Sequence, residues 1–176
     1  MKSFEEISKL LINQFPSINF EIKSDVKFEP YIIVPPNQID NVCLFLRDNI
    51  DLQFDSLVNL SAVDDFNGEK TKDEQGNDIM KGGTLSLYYH LESIKYRHKI
   101  LLRVLTDRDN PSVLSVTSVW NSANWHEREA FDLFGINFIN HPDLRRILMP
   151  YDWEFGHPLR KDYQNPEFYQ GMKVPY

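Results

Sequence analysis

Phe4, Ile7, Leu10 and Leu11 recur on one face of a helical wheel, and charged or polar residues fill the positions between them. Ser3 precedes Glu6 by the spacing of a capping box, so a helix is predicted to open at Phe4 and to stop at Pro16. Short β-prone runs follow at residues 18–22 and 31–34. Asn37 is the expected cap of a second helix, with Ile39, Val42, Cys43, Leu46 and Ile50 as its apolar stripe. Cys43 on that stripe reads as a small core residue. Residues 57–63 read as a strand, and the clearest period-two segment comes later. There Leu85, Leu87, Tyr89 and Leu91 face one way, with Thr84, Ser86, His90 and Glu92 on the other side. Residues 96–106 and 113–120 behave similarly. Between the first strand and the second, NGEKTKDEQGNDIMKGG (residues 67–83) is densely charged and holds four of the seven glycines, which predicts a long solvated hairpin loop. Four strands in succession with helices set apart predict an α+β fold: helices packed on one face of a largely antiparallel or mixed sheet.

After these strands comes NWHEREAFDLFG, residues 124–135. Asn124 can cap a short helix of about 125–134, and Gly135 can end it. At about 100° per residue, Ala123, Ala130, Phe131, Leu133 and Phe134 share an arc that includes Glu127. Trp125, Glu129 and Asp132 fall on the opposite side. From His141 onward there is no helical or alternating period, while five of the ten prolines and seven of the twenty-three aromatic residues lie there. Proline at that density denies the segment a regular ladder or helix. The chain is therefore expected to divide into a single α+β domain, residues 1–140, and an extended Pro- and aromatic-rich C-terminal tail, residues 141–176. That tail is expected to dock on its own domain and on partner subunits.

Composition narrows the function. A chain of 176 residues suits one domain with a real core. A formal charge of −7 argues against nucleic-acid or anionic-lipid binding, which need a basic field. One cysteine excludes an internal disulfide and any multi-cysteine zinc or iron–sulfur site. No apolar run approaches the roughly 20 residues that span a bilayer, and MKSFEE reads as neither a secretory leader nor a transit peptide. The expected location is a bacterial cytoplasm, and the expected partner is protein.

The charged helix offers three chemical readings. His126-Glu127 begins a His-Glu-x-x-His zinc motif, but Ala130 stands where the second histidine is required. Glu129 and Asp132 are close enough along a helix to act as a hydrolase pair, though nothing else in the sequence marks a substrate site. In the third reading the acids are structural. Glu127 at the third helical position can complete a capping box with Asn124, and the first turns favour Glu127 and Glu129. Asp132 lies near the C-terminal end, where a negative charge is disfavoured, and Arg128 stands in the weaker orientation for an i,i+4 pair. Such an acid calls for a cation elsewhere: Arg145, Arg146, Arg160 or Lys161. The residues by themselves predict a polar latch between helix, tail and neighbour.

NWHEREAFDLFGINF, followed by HPDLRRILM and GHPLRKDY, strongly resembles the C subunit of proton-translocating NADH–quinone oxidoreductase, respiratory complex I. The match is dense over residues 120–163 and looser before them. The matching positions are Glu127, Arg128, Glu129, Asp132, Gly135, His141, Pro142, Arg145, Arg146, Gly156, His157, Pro158, Arg160, Lys161 and Asp162. His126, Asn140 and a longer 67–83 loop depart from the pattern. The resemblance implies an interface or structural role for these positions, with no catalytic, cofactor-binding or metal-binding residue in the chain. It implies a peripheral-arm protein beside the D and B subunits, on the cytoplasmic face of the bacterial inner membrane, attached through the complex only. FMN, iron–sulfur clusters, NADH and quinone would be used by the complex as a whole. Related membrane-bound hydrogenases and dehydrogenases carry an equivalent module; a stand-alone chain ending in MKVPY favours complex I.

Overall fold

The computed structural model describes residues 1–174 apart from 26, 28, 73–75 and 77. Helix α1, Phe4–Gln14, opens on the expected box: the Ser3 hydroxyl accepts from the Glu6 amide at 3.3 Å, and the Glu6 carboxylate accepts from the Ser3 amide at 2.7 Å. Its Ile7 and Leu11 are fully buried. Helix α2, Ile39–Asp48, follows the short strands β1, Glu21–Lys23, and β2, Tyr31–Ile33. Asn37 is not its cap. The helix starts after Gln38, which makes no side-chain capping bond. Ile39, Val42, Cys43 and Leu46 form the stripe, while Ile50 lies past the helix end and is 74% exposed, because the chain has already turned at Asn49.

The main sheet has the order β1-β2-β7-β6-β3, built with β3, Ser56–Asp64, β6, Thr84–Glu92, and β7, Lys99–Asp107. β2 and β7 run parallel and the other neighbours antiparallel, so the sheet is mixed. The alternation in β6 resolves as read: Leu85, Leu87, Tyr89 and Leu91 all point into the core. Opposite them lie Leu60 from β3 and Ile100, Leu102 and Val104 from β7, with α1 and α2 supplying Ile7, Leu11, Val42, Cys43 and Leu46.

Three sequence expectations need correction. Residues 96–98 lie before the strand, with Tyr96 in a turn: its amide donates to the Ser93 hydroxyl and Arg97 takes φ 57°. The run 113–120 supplies only β8, Ser112–Leu114, after which Val119 and Trp120 donate back to the Val116 carbonyl in tight turns. The charged segment 67–83 contains a ladder: β4, Glu69–Lys72, pairs with β5, Asp78–Lys81, and Met80 is buried. The residues at its tip, 73–75 and 77, lie outside the described part. Helix α3, Ala123–Phe134, packs against β3 and leads into β9, Asn137–Ile139, which pairs in parallel with β8. After β9 the tail forms only one further ladder among the described residues, β10, Phe168–Tyr169, with β11, Met172–Lys173.

Candidate functional site

Helix α3 begins earlier than Asn124 suggests. Its first residue is Ala123, the preceding Ser122 makes no side-chain cap, and the Asn124–Glu127 box does not form. Glu127 is instead fully buried, accepting from the Ser115 hydroxyl at 2.6 Å and the Val116 amide at 2.7 Å. It ties α3 to the turn that follows β8. The buried His141 ring stands 4.0 Å away, with Nε2 also 3.2 Å from the Asn124 carbonyl. Burial pushes the Glu127 carboxyl up to about 7, against the lowering effect of the Ser115 and Val116 donors.

Asp132, on the side opposite the apolar arc, is fully buried beneath the tail. Its Oδ1 receives Arg146 Nη1 at 2.7 Å, and its Oδ2 receives the amides of Ile147, Leu148 and Met149 at 3.0, 2.8 and 2.8 Å. Burial alone would raise this carboxyl, but the three amides and the guanidinium together hold it below the usual range. The cost of an acid at a helix C-terminus is offset by donors from a different segment. Arg128 does not pair with Asp132. Its guanidinium donates to the carbonyls of Arg145 and Arg146, each at 3.2 Å, and lies 5.2 Å from the Trp125 ring. Arg145 itself turns outward to Asp143 at 3.0 Å.

The second His-Pro phrase closes the end of α3. His157 Nδ1 lies 3.0 Å from the Asp132 carbonyl, the Leu159 amide donates to the Leu133 carbonyl, and Arg160 Nε donates to the Phe134 carbonyl at 2.8 Å. Carbonyls that a helix end leaves orphaned are thereby satisfied by the tail. Pro158, half-buried, carries the chain between these contacts. Burial lowers the His157 pKa, outweighing the raising effect of the Asp132 carbonyl. Gly135 adopts φ 77°, and a Cβ there would collide with the His157 ring.

A further cluster joins the tail to the sheet. Arg108, 2% exposed, contacts Asp64 at 3.0 Å, Asp162 at 2.6 Å and the Met80 carbonyl at 2.9 Å. Asp162 also accepts from the Met80 amide, and Asp64 from the Lys161 amide, while the Lys161 residue is exposed. Asp64 and Arg108 escape a sequence reading because each merely ends or follows a strand like any surface charge; the signal available was their position at the ends of β3 and β7.

Glu129 is exposed and lines a hollow with His126, Asn59 and Ser61. Asp132 lies elsewhere, with both oxygens occupied, so the two do not form a hydrolase pair facing one cleft. Among the described residues no three His, Cys, Asp or Glu side chains converge as metal ligands. The arrangement can clamp: every buried carboxylate here faces donors from another segment.

The family described as "Respiratory-chain NADH dehydrogenase, 30 Kd subunit" matches residues 32–169. A curated relative from Chlorobium phaeobacteroides, the C subunit of its NADH-quinone oxidoreductase, is 44% identical over 82% of this chain and 78% of its own length. The protein of the same name from Chloroherpeton thalassium is 40% identical over 77% of this chain, which spans 50% of that relative. Among solved structures, Nqo5 as a trypsin-resistant fragment (1-134) matches with a TM-score of 0.56 and 23% identity, covering 80% of this chain and 98% of the fragment. At that identity the likeness shows the shared α+β fold. The chain belongs to the family of the 30 kDa subunit of respiratory-chain NADH dehydrogenase, that is, the C subunit of NADH–quinone oxidoreductase.

Proposed function

We propose that this chain is a non-catalytic peripheral-arm component of NADH–quinone oxidoreductase that assembles and stabilises the quinone-reducing module, in an enzyme passing electrons from NADH to quinone with coupled proton translocation. The observation that carries this reading is the family match over residues 32–169, which takes in α3, its carboxylates and most of the tail. The chemistry agrees: Glu127 and Asp132 are consumed by internal hydrogen bonds, and a single buried cysteine does not supply the thiolates of an iron–sulfur cluster. FMN, iron–sulfur clusters, NADH and quinone belong in this reading to the complex as a whole.

The equivalents of the D and B subunits are the proposed neighbours. The tail, residues 141–176, is proposed to lie between them and the α+β domain. Its exposed Tyr151, Leu148, Phe168 and Met172 are apolar surface that a partner would cover. No helix among the described residues is long and apolar enough to cross a membrane. In this reading attachment to the cytoplasmic face of the inner membrane comes through the complex.

Purification of the tagged chain from its host in mild detergent tests the proposal. The D and B equivalents should co-purify with NADH–quinone reductase activity, and deletion of the chain should remove assembled enzyme from the membrane. Recovery with a large hydrogenase-type protein and hydrogen-dependent activity would place it in a related complex instead.

A further inference from the structure

Arg128 is 8% exposed, and a guanidinium that far out of water ordinarily faces a carboxylate. Among the described residues it faces none. Its Nε and Nη2 donate to the carbonyls of Arg145 and Arg146, and its charged end lies 5.2 Å from the Trp125 ring. These groups offer partial negative charge only, and Nη1 has no hydrogen-bond partner among the described residues.

Arg128 borders an open hollow of about 440 Å³ between α3 and residues 144–151. Arg145 and Arg146 line it too, so three guanidinium groups surround one space whose wall contains no acidic side chain. Arg146 spends Nη1 on Asp132, a carboxylate already filled by three amides. Its Nε–Nη2 edge, which can grip a carboxylate with two parallel hydrogen bonds, has no partner among the described residues. Arg145 meets Asp143 at 3.0 Å, but the two side chains are 70% and 51% exposed, and such a pair holds weakly. In a chain of net charge −7 this is a local excess of positive charge. The rest of the wall is apolar: half-buried Phe131 and Leu144, and Tyr151, which is 95% exposed. Tyrosine and arginine are the residue types that often dominate protein interfaces.

We propose that this hollow receives an aspartate or glutamate side chain from a segment of another protein of the complex. The carboxylate accepts from Arg128 Nη1 and from the Nε–Nη2 edge of Arg146. An apolar neighbour in the same segment lies against Phe131, Leu144 and Tyr151. An anionic lipid fits less well, because the negative charge of the whole chain repels an anionic surface. The inference rests on the reading that the chain assembles with other subunits.

A photoreactive benzoylphenylalanine in place of Tyr151 tests it in the purified complex, since a side chain 95% exposed can be exchanged without disturbing the fold. The expected result is a cross-link to one segment of another subunit, with an aspartate or glutamate within about three residues of the attachment point, a reach of roughly 10 Å. Changing that acid to its amide should lower the yield of co-purified complex by about tenfold or more, and so should Arg145→Glu in this chain. The free Arg145→Glu chain should melt within about 2 °C of the native one. Should it not, the cross-link and the partner's substitution decide. An intact complex in which position 151 cross-links to nothing, or to a segment without an acid, overturns the proposal and leaves the assembly reading standing. Full retention after the acid becomes its amide does the same. Cross-linking to phospholipid overturns it in favour of a lipid headgroup. Failure of any other subunits to co-purify with the native chain overturns both.

Discussion

At the scale of single residues, neighbouring acids on one helix have different tasks. Asp132 is fully buried among four donors, whereas Glu129 is exposed. Asp132→Asn would turn an amide hydrogen toward either Arg146 or the three backbone donors, a buried mismatch that costs about 2–4 kcal/mol. For a chain of this size that is a thermal midpoint lower by roughly 5–15 °C. Glu129→Gln on the free chain should move it by less than about 2 °C, because an exposed charge with no ion-pair partner among the described residues carries little stability. Differential scanning calorimetry on both variants checks the contrast. Glu127 gives a pH dependence of the opposite sign from Asp132. Its carboxyl titrates near 7 in the folded protein against an ordinary 4.5, so the folded state holds the proton more tightly. Its stabilising contribution is complete below pH 4.5 and is lost as pH rises through 7, by about 3 kcal/mol in all. Urea denaturation from pH 5 to 8 should show that loss in the native protein and a much flatter profile in Glu127→Gln. An acid near a helix C-terminus was legible in the sequence as an anomaly, and so was a short supply of arginines to answer it. The three amides that share Asp132 were not, because backbone donors have no signature in a sequence.

At the scale of elements, legibility followed how local the deciding interaction is. The capping box of α1 involves residues three apart and was readable. The β6 alternation was readable because one face of that strand meets the core along its whole length. The start of α3 was misplaced by two residues. Asn124 looks like a cap, and Glu127 like its partner, until Ser115 and Val116 claim Glu127 from another element. The end of α3 shows the same division. Gly135 was readable as the residue that ends the helix, but its contact with His157 comes from 22 residues further on. Gly135→Ala should therefore carry two penalties: about 1–2 kcal/mol for a side chain at positive φ, and about 1–3 kcal/mol for driving a Cβ into the His157 ring. The second should vanish in a His157→Ala background. A double-mutant cycle by urea denaturation measures the difference as a coupling of at least about 1 kcal/mol; a coupling near zero would mean that the ring simply moves aside.

At the scale of the whole molecule, the tail acts as a strap whose hold on the domain is uneven. Residues 146–162 are fastened by charge-assisted bonds to α3 and to the ends of β3 and β7. Beyond Tyr163 the chain is held differently. The β10–β11 hairpin leans on tail residues, with Tyr169 donating to Asp152 at 2.7 Å and packing near Trp153, whose ring centroid is 5.2 Å away. A segment that rests mainly on itself gains little of the roughly 1 kcal/mol per residue needed to order it. Residues beyond 163 should accordingly exchange faster than residues 146–162 in the free chain, and the gap should close in the assembled complex. The Arg108 cluster makes this asymmetry testable, because Asp162 binds Arg108 and the Met80 amide at once, tying the strap to the 67–83 hairpin. Asp162→Ala leaves Arg108 with Asp64 and the Met80 carbonyl but cuts the direct ties between strap and hairpin. Limited proteolysis should then open the 67–83 hairpin and the tail together, at matched rates, while fragments ending within residues 85–107 stay absent. Cleavage of the tail alone would mean that the hairpin is held by Met80 burial and the Arg108–Met80 carbonyl bond and not by the strap.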